Sequence, residues 1–193
     1  VARTGGRGQY MPPAVADNRP MNHSREAHAG ILLALENASR AASRPHAMQQ
    51  PAVRLLAVSK TRTAGEIADL VAAGQRAFGE NYVQEALLKI DALRERGLEW
   101  HLIGHLQSNK ADAAARAFDW VQTVDRHKLV VALARHRPSG LPPLNVLLQV
   151  NIDDETSKHG CPPAEVDTLA AAVAAEPRLR LRGLMAIPAP HED

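Results

Sequence analysis

Five short apolar runs end at Lys60, Asn81, Gly104, Asp125 and Asn151, and these ends are 21, 23, 21 and 26 residues apart. Each interval holds one helical pattern and little else. A parallel strand pair needs a crossover of a dozen or more residues, which one short helix supplies. A repeating strand-helix unit of this length therefore argues for a parallel sheet with right-handed crossovers. So short a metre favours an α/β fold of the TIM type, the closed (β/α)8 barrel, over an open doubly wound sheet. No Gly-x-Gly-x-x-Gly follows the first run and there is no Walker-type loop, which weakens dinucleotide and nucleoside-triphosphate readings. About six strands can be counted, against the eight that a closed barrel requires.

The runs themselves support this reading. Arg54 to Lys60, Arg76 to Glu80, Trp100 to Ile103, Asp119 to Val124, Asn145 to Val150 and Arg180 to Ile187 read as strands. The first is apolar enough for burial on both faces. Thr63 and Glu66 have capping-box spacing ahead of a stripe of Ile67, Leu70 and Val71, and Gly74 supplies the stop. A second helix starts near Tyr82 and turns Val83, Leu87, Ile90 and Leu93 inward. An Ala-rich helix runs from Asn109 to Phe118, Asp125 is a candidate N-cap for the next, and Pro163 opens the last. Ahead of the first strand, Ile31, Leu35, Ala38 and Ala42 share a helical face that begins at Ser24 and ends before Pro45. Residues 1–23 mix Gly, Arg, Pro and Asn without an apolar period and read as a disordered leader, leaving 24–193 as one βα domain.

Bulk properties narrow the partners. Lys plus Arg exceed Asp plus Glu by two, too little for the electrostatic field that nucleic acid would require. No stretch of eighteen apolar residues and no secretory signal pattern is present, so neither a membrane nor export is expected and a cytoplasmic location is. Cys161 is the single cysteine, which excludes an internal disulfide and a cysteine-rich zinc cluster. The apolar stripes are accounted for by packing onto a barrel, which by itself does not fix the oligomeric state.

In barrels of this type, chemistry is carried where strands end, which directs attention to Ser59, Lys60, Glu80, Asn81, the segment 101–110, Asp125, Asn151 and the loop 153–159. A lysine closing an apolar strand is expected to be partly desolvated, the condition under which its amine attacks an aldehyde. A solvated surface lysine is the competing reading. Asn81 is read as a contact at the barrel mouth, as an N-cap for the helix after it, or as both. His101 and His105 invite a metal reading, but they straddle a strand end and no carboxylate follows at ligand spacing, so no metal site is expected. Ser157, Lys158 and Gly160 read as a polar loop above the barrel, and Met185 as a strand-end residue near the pocket of a kind that is more often core.

The segments Leu56-Ala-Val-Ser-Lys-Thr61, Phe78-Gly-Glu-Asn-Tyr-Val-Gln-Glu85, Trp100-His-Leu-Ile-Gly-His-Leu-Gln-Ser-Asn-Lys110, Gln149-Val-Asn-Ile-Asp-Asp-Glu-Thr-Ser-Lys158 and Arg182-Gly-Leu-Met-Ala-Ile187 occur in one order and at suitable spacing. Together they resemble the pyridoxal phosphate homeostasis family, the alanine-racemase-like N-terminal barrel proteins of vitamin B6 metabolism. The resemblance implies that Lys60 holds pyridoxal 5'-phosphate (PLP) as a Schiff base and that Asn81 lies near the cofactor ring. It implies a cofactor-binding protein without an evident reaction of its own, in transient contact with enzymes that make or use PLP. The family takes its phosphate-binding segments from its last two strands, which would follow Asp193, so the barrel is expected to be incomplete and no phosphate ligand is assigned.

Two other readings remain open. An amino-acid racemase on the same barrel would also begin from a lysine Schiff base, yet it would need a second base, and neither Tyr10 nor Tyr82 is an obvious one. An inactive fragment with open sheet edges is the third.

Overall fold

A computed structural model describes residues 21–42, 53–153 and 159–188, with the backbone alone for 21–24 and 38–42. Six helices and six strands alternate: α1 (Met21–Ala42), β1 (Ala57–Val58), α2 (Ala64–Ala72), β2 (Ala77–Glu80), α3 (Val83–Ala92), β3 (Glu99–Leu102), α4 (Ala111–Ala117), β4 (Trp120–Val124), α5 (His127–His136), β5 (Leu144–Gln149), α6 (Val166–Ala174) and β6 (Leu179–Met185). All neighbouring strands pair in parallel, and spatial order equals chain order from β1 to β6. A doubly wound sheet reverses its order at a switch point, whereas a barrel sheet adds each strand beside the last. The fold is therefore α/β of the TIM-barrel type, with strands β1 to β6 among the described residues.

The core lies between the sheet and the helices. Phe78, Trp100, Leu102, Val121, Leu144, Val146 and Leu148 turn toward Ile67, Ala86, Ala114, Leu129, Leu133 and Val173, and all of these are buried. Strand alternation sends the intervening residues to the other face, which would be the lumen of a barrel. That face is polar at its floor. Arg54 pairs with Glu99 at 3.0 Å, the imidazole of His101 stands 2.8 Å from Glu99 and stacks on Trp120, and Arg182 donates to Asn145 at 2.8 Å.

Local chemistry sets the element ends. Thr63 and Glu66 form the expected capping box, with the Glu66 amide donating to the Thr63 hydroxyl at 3.2 Å and the Thr63 amide to the Glu66 carboxylate at 2.8 Å. Gly74 stops the helix region at φ +104, a left-handed conformation open to glycine.

Several boundaries differ from the sequence reading. Regular β1 pairing is confined to Ala57–Val58, and Val58 is 52% exposed rather than buried on both faces. Asp125 does not cap α5; the N-cap position is Arg126, which makes no side-chain cap. Helix α1 starts at Met21, and Ile31 is exposed while His28 is buried against Gln75 at 3.0 Å. The side chains of Ala38 and Ala42, residues 1–20 of the expected leader, and Ser157 and Lys158 lie outside the described residues.

Candidate functional site

The C-terminal ends of the strands surround an open cavity of about 580 Å³. Its wall begins with Leu56, Val58 and Lys60 beside β1, continues through Asn81 after β2 and Ile103, Gly104 and His105 after β3, and closes with Gln149, Asn151, His159 and Met185. A cavity of this size matches small-molecule sites, which lie in the range of about 300 to 1,000 Å³.

Lys60 occupies a turn immediately after β1. The Ser59 amide donates to the Gly79 carbonyl at 2.9 Å, and the Arg62 amide closes the turn onto the Ser59 carbonyl at 3.0 Å. Lys60 is exposed, so the expected desolvation of its ammonium is not found. What the fold supplies instead is placement: Lys60 lines the cavity together with Asn81.

Asn81 is half-buried at the rim, and the N-cap of α3 is Tyr82, without a side-chain cap, so the competing capping role falls away. Its backbone fits tightly against the next strand end. A Cβ added at Gly104 would stand 2.2 Å from the Asn81 carbonyl oxygen, so no larger residue is accommodated there without backbone movement. Met185, expected as core, is half-buried and lines the same cavity.

Behind the turn lies a polar cluster that the sequence did not announce. The fully buried Glu80 carboxylate receives the Ser59 hydroxyl at 2.5 Å and the Lys89 ammonium at 2.8 and 2.9 Å. Ser59 and Glu80 stand among the strand-end residues singled out by position. Lys89, nine residues along in α3, carries no signal in the sequence beyond helical spacing.

The two histidines of the sequence reading separate. His101 goes to the lumen floor, where burial holds its imidazole below the ordinary histidine range, against the opposing hydrogen bond and charge of Glu99. His105 stays at the rim with different companions: its ring stacks on His159 at 3.6 Å, and Nδ1 stands 3.9 Å from an Asp125 oxygen. Desolvation, then the facing His159, lowers the His105 pKa, while Asp125 acts in the opposite sense. A carboxylate is therefore present after all, brought from the end of β4. The three side chains bring their donor atoms within 4.8 Å of one another, a grouping that could hold a metal ion.

Comparison with known proteins decides the family. The alanine racemase, N-terminal domain, family matches residues 35–193. A pyridoxal phosphate homeostasis protein from Pseudomonas aeruginosa is 51% identical over 162 residues, which is 84% of this chain and 69% of that protein. The chain belongs to the pyridoxal phosphate homeostasis protein family. A homeostasis protein of the same name from Escherichia coli strain K12 is 59% identical over 144 residues, and the match spans 62% of that protein's length. Among solved structures, PipY of Synechococcus elongatus PCC7942 with PLP bound is 36% identical, with a TM-score of 0.65 over 80% of this chain and 69% of that one. Alanine racemase from E. faecalis, at 20% identity and a TM-score of 0.53, shares the fold.

The donor set can be tested against the family's cofactor. PLP presents an aldehyde, a hydroxyl-bearing aromatic ring and a phosphate. Lys60 offers the primary amine that the aldehyde requires, and Asn81 offers amide donors and an acceptor on the same wall. These residues fit the aldehyde end.

Proposed function

We propose that this chain binds pyridoxal 5'-phosphate in intracellular vitamin B6 homeostasis, with Lys60 and Asn81 as its cofactor-binding residues and residues 24–193 as the cofactor-binding domain. The observation that carries the reading is the meeting of Lys60 and Asn81 on one cavity wall at the strand ends of a homeostasis-family barrel. When bound, the cofactor supplies an electrophilic aldehyde carbon. Lys60 would hold the cofactor through its amine, which would condense with that carbon and release water, and Asn81 would face the cofactor from the same cavity wall.

The protein is proposed to hold the aldehyde without turning over a substrate. Tyr82 is 63% exposed and lies outside the cavity that Lys60 lines, so it gives no support to a second base. We further propose a cytoplasmic monomer that meets PLP-producing and PLP-dependent enzymes transiently. Among the described residues no helix is long and apolar enough to cross a membrane.

Mixing the protein with PLP should produce a visible absorption band, and borohydride should fix the cofactor on the peptide that contains Lys60. A Lys60→Ala protein that kept the band would refute the assignment. Alanine in deuterated water should exchange no faster than with free PLP; enzyme-like exchange would favour a racemase instead.

A further inference from the structure

We infer that Lys89 is a positioning residue for Lys60, acting through the buried Glu80 carboxylate and the Ser59 carbonyl. The inference rests on the reading of Lys60 given above, and the observation behind it is a separate one.

The Ser59–Arg62 turn needs external support. Thr61 stands at φ +67, a left-handed conformation that a β-branched side chain resists. Such a conformation persists only where the surroundings over-determine it, and it is characteristic of ligand sites. Lys89 supplies that support. Its Nζ donates to the Ser59 carbonyl at 2.9 Å and to the two Glu80 oxygens at 2.8 and 2.9 Å, so all three ammonium protons are used. The Ser59 hydroxyl completes the ring of contacts on Glu80. Glu80 is fully buried and Lys89 is 12% exposed.

A buried ion pair is weak evidence for stability, since apolar residues of similar size often serve a fold as well. Met and Leu here could fill the space between β2 and α3. They could not hold the carbonyl of residue 59. The specific consequence of this pair is therefore the geometry of the turn. Strand alternation makes the consequence reach the cavity: Ser59 and Glu80 face the helix layer, and the residues that follow them, Lys60 and Asn81, face the cavity. One ammonium thus ties, from behind, the two strand ends that carry the proposed cofactor contacts.

The test uses the whole chain. Lys89→Met leaves the Glu80 charge buried and unpaired and is expected to lower stability, so the deciding protein is Glu80→Gln/Lys89→Met, in which that charge is gone and Ser59 keeps an acceptor. Hydrogen exchange of the Arg62 amide, which bonds to Ser59, is read on cofactor-free protein, together with the rate at which Lys60 captures PLP. The double variant should recover most of the unfolding midpoint, yet the Arg62 amide should exchange about tenfold faster and capture should slow by about tenfold, as expected for loss of one charge-assisted hydrogen bond. Unchanged Arg62 exchange, or unchanged capture by a wild-type protein that does take up PLP, overturns the inference. If the wild type captures no PLP at Lys60, the proposed function fails, and the exchange measurement alone still decides whether Lys89 holds the turn.

Discussion

The imidazoles of His105 and His159 lie face to face with ring centroids 3.6 Å apart at the mouth of the cavity, above the Asp125 carboxylate. The facing His159 ring disfavours a positive charge on His105. Asp125 is also engaged by Arg126, whose guanidinium donates to it at 2.5 Å.

This stack gives the first prediction, a pH dependence. His101 and His105 both have folded pKa values below the ordinary histidine value of about 6.5, so the unfolded chain binds more protons near and just below that pH. Stability then rises with pH across this window, and the contribution present above it is lost as pH falls. Urea midpoints should drop between pH 7.5 and 5.5, and His105→Gln should flatten that drop. A slope that His105→Gln leaves intact would assign the effect to His101 or elsewhere.

Lys60 is exposed and bears no structural burden of its own, so Lys60→Ala should change unfolding free energy by no more than about 0.5 kcal/mol. Denaturant titration without cofactor checks this, and it separates loss of PLP from loss of fold.

At Gly104 the end of β3 lies against the Asn81 backbone at the end of β2. Gly104→Ala would press a methyl group onto the Asn81 carbonyl, and relief requires backbone shift in one strand end or the other. A loss of about 1 to 3 kcal/mol is expected, as for overpacking elsewhere. PLP affinity should fall with it, because Asn81 is the residue displaced.

The buried Arg137 guanidinium gathers the carbonyls of Ala115, Phe118 and Pro142 at 2.7, 2.8 and 2.8 Å, joining α4, α5 and the approach to β5. Arg137→Met leaves those acceptors without their donor and should cost roughly 3 kcal/mol or more in a denaturation experiment. Arg137→Lys should recover little, since an ammonium lacks the guanidinium's planar fork.

Thr63→Ala removes the hydroxyl of the α2 capping box and should cost about 1 kcal/mol, read by thermal or urea unfolding. Cofactor capture should change less than for Lys89 variants, although Thr63 is much closer to Lys60 in sequence. That contrast distinguishes the helix cap from the buried tie.

The sequence alone determined what depends on neighbours along the chain. Strand and helix order, the Thr63–Glu66 cap and the stop at Gly74 follow from periodicity and from turn and cap chemistry, which act within a few residues. The even βα spacing determined the parallel sheet, and the motif from Leu56 to Thr61 pointed to Lys60. Tertiary structure decided the rest, because it turns on which strand ends meet. It set Lys60 and Asn81 on one cavity wall, gave His105 the companions Asp125 and His159 from two other loops, and sent His101 to the floor. It also set Lys89 of α3 against Ser59, 30 residues earlier. Side-chain interactions across a parallel sheet join residues a full strand-helix unit apart, a separation at which local pattern carries no information about partners.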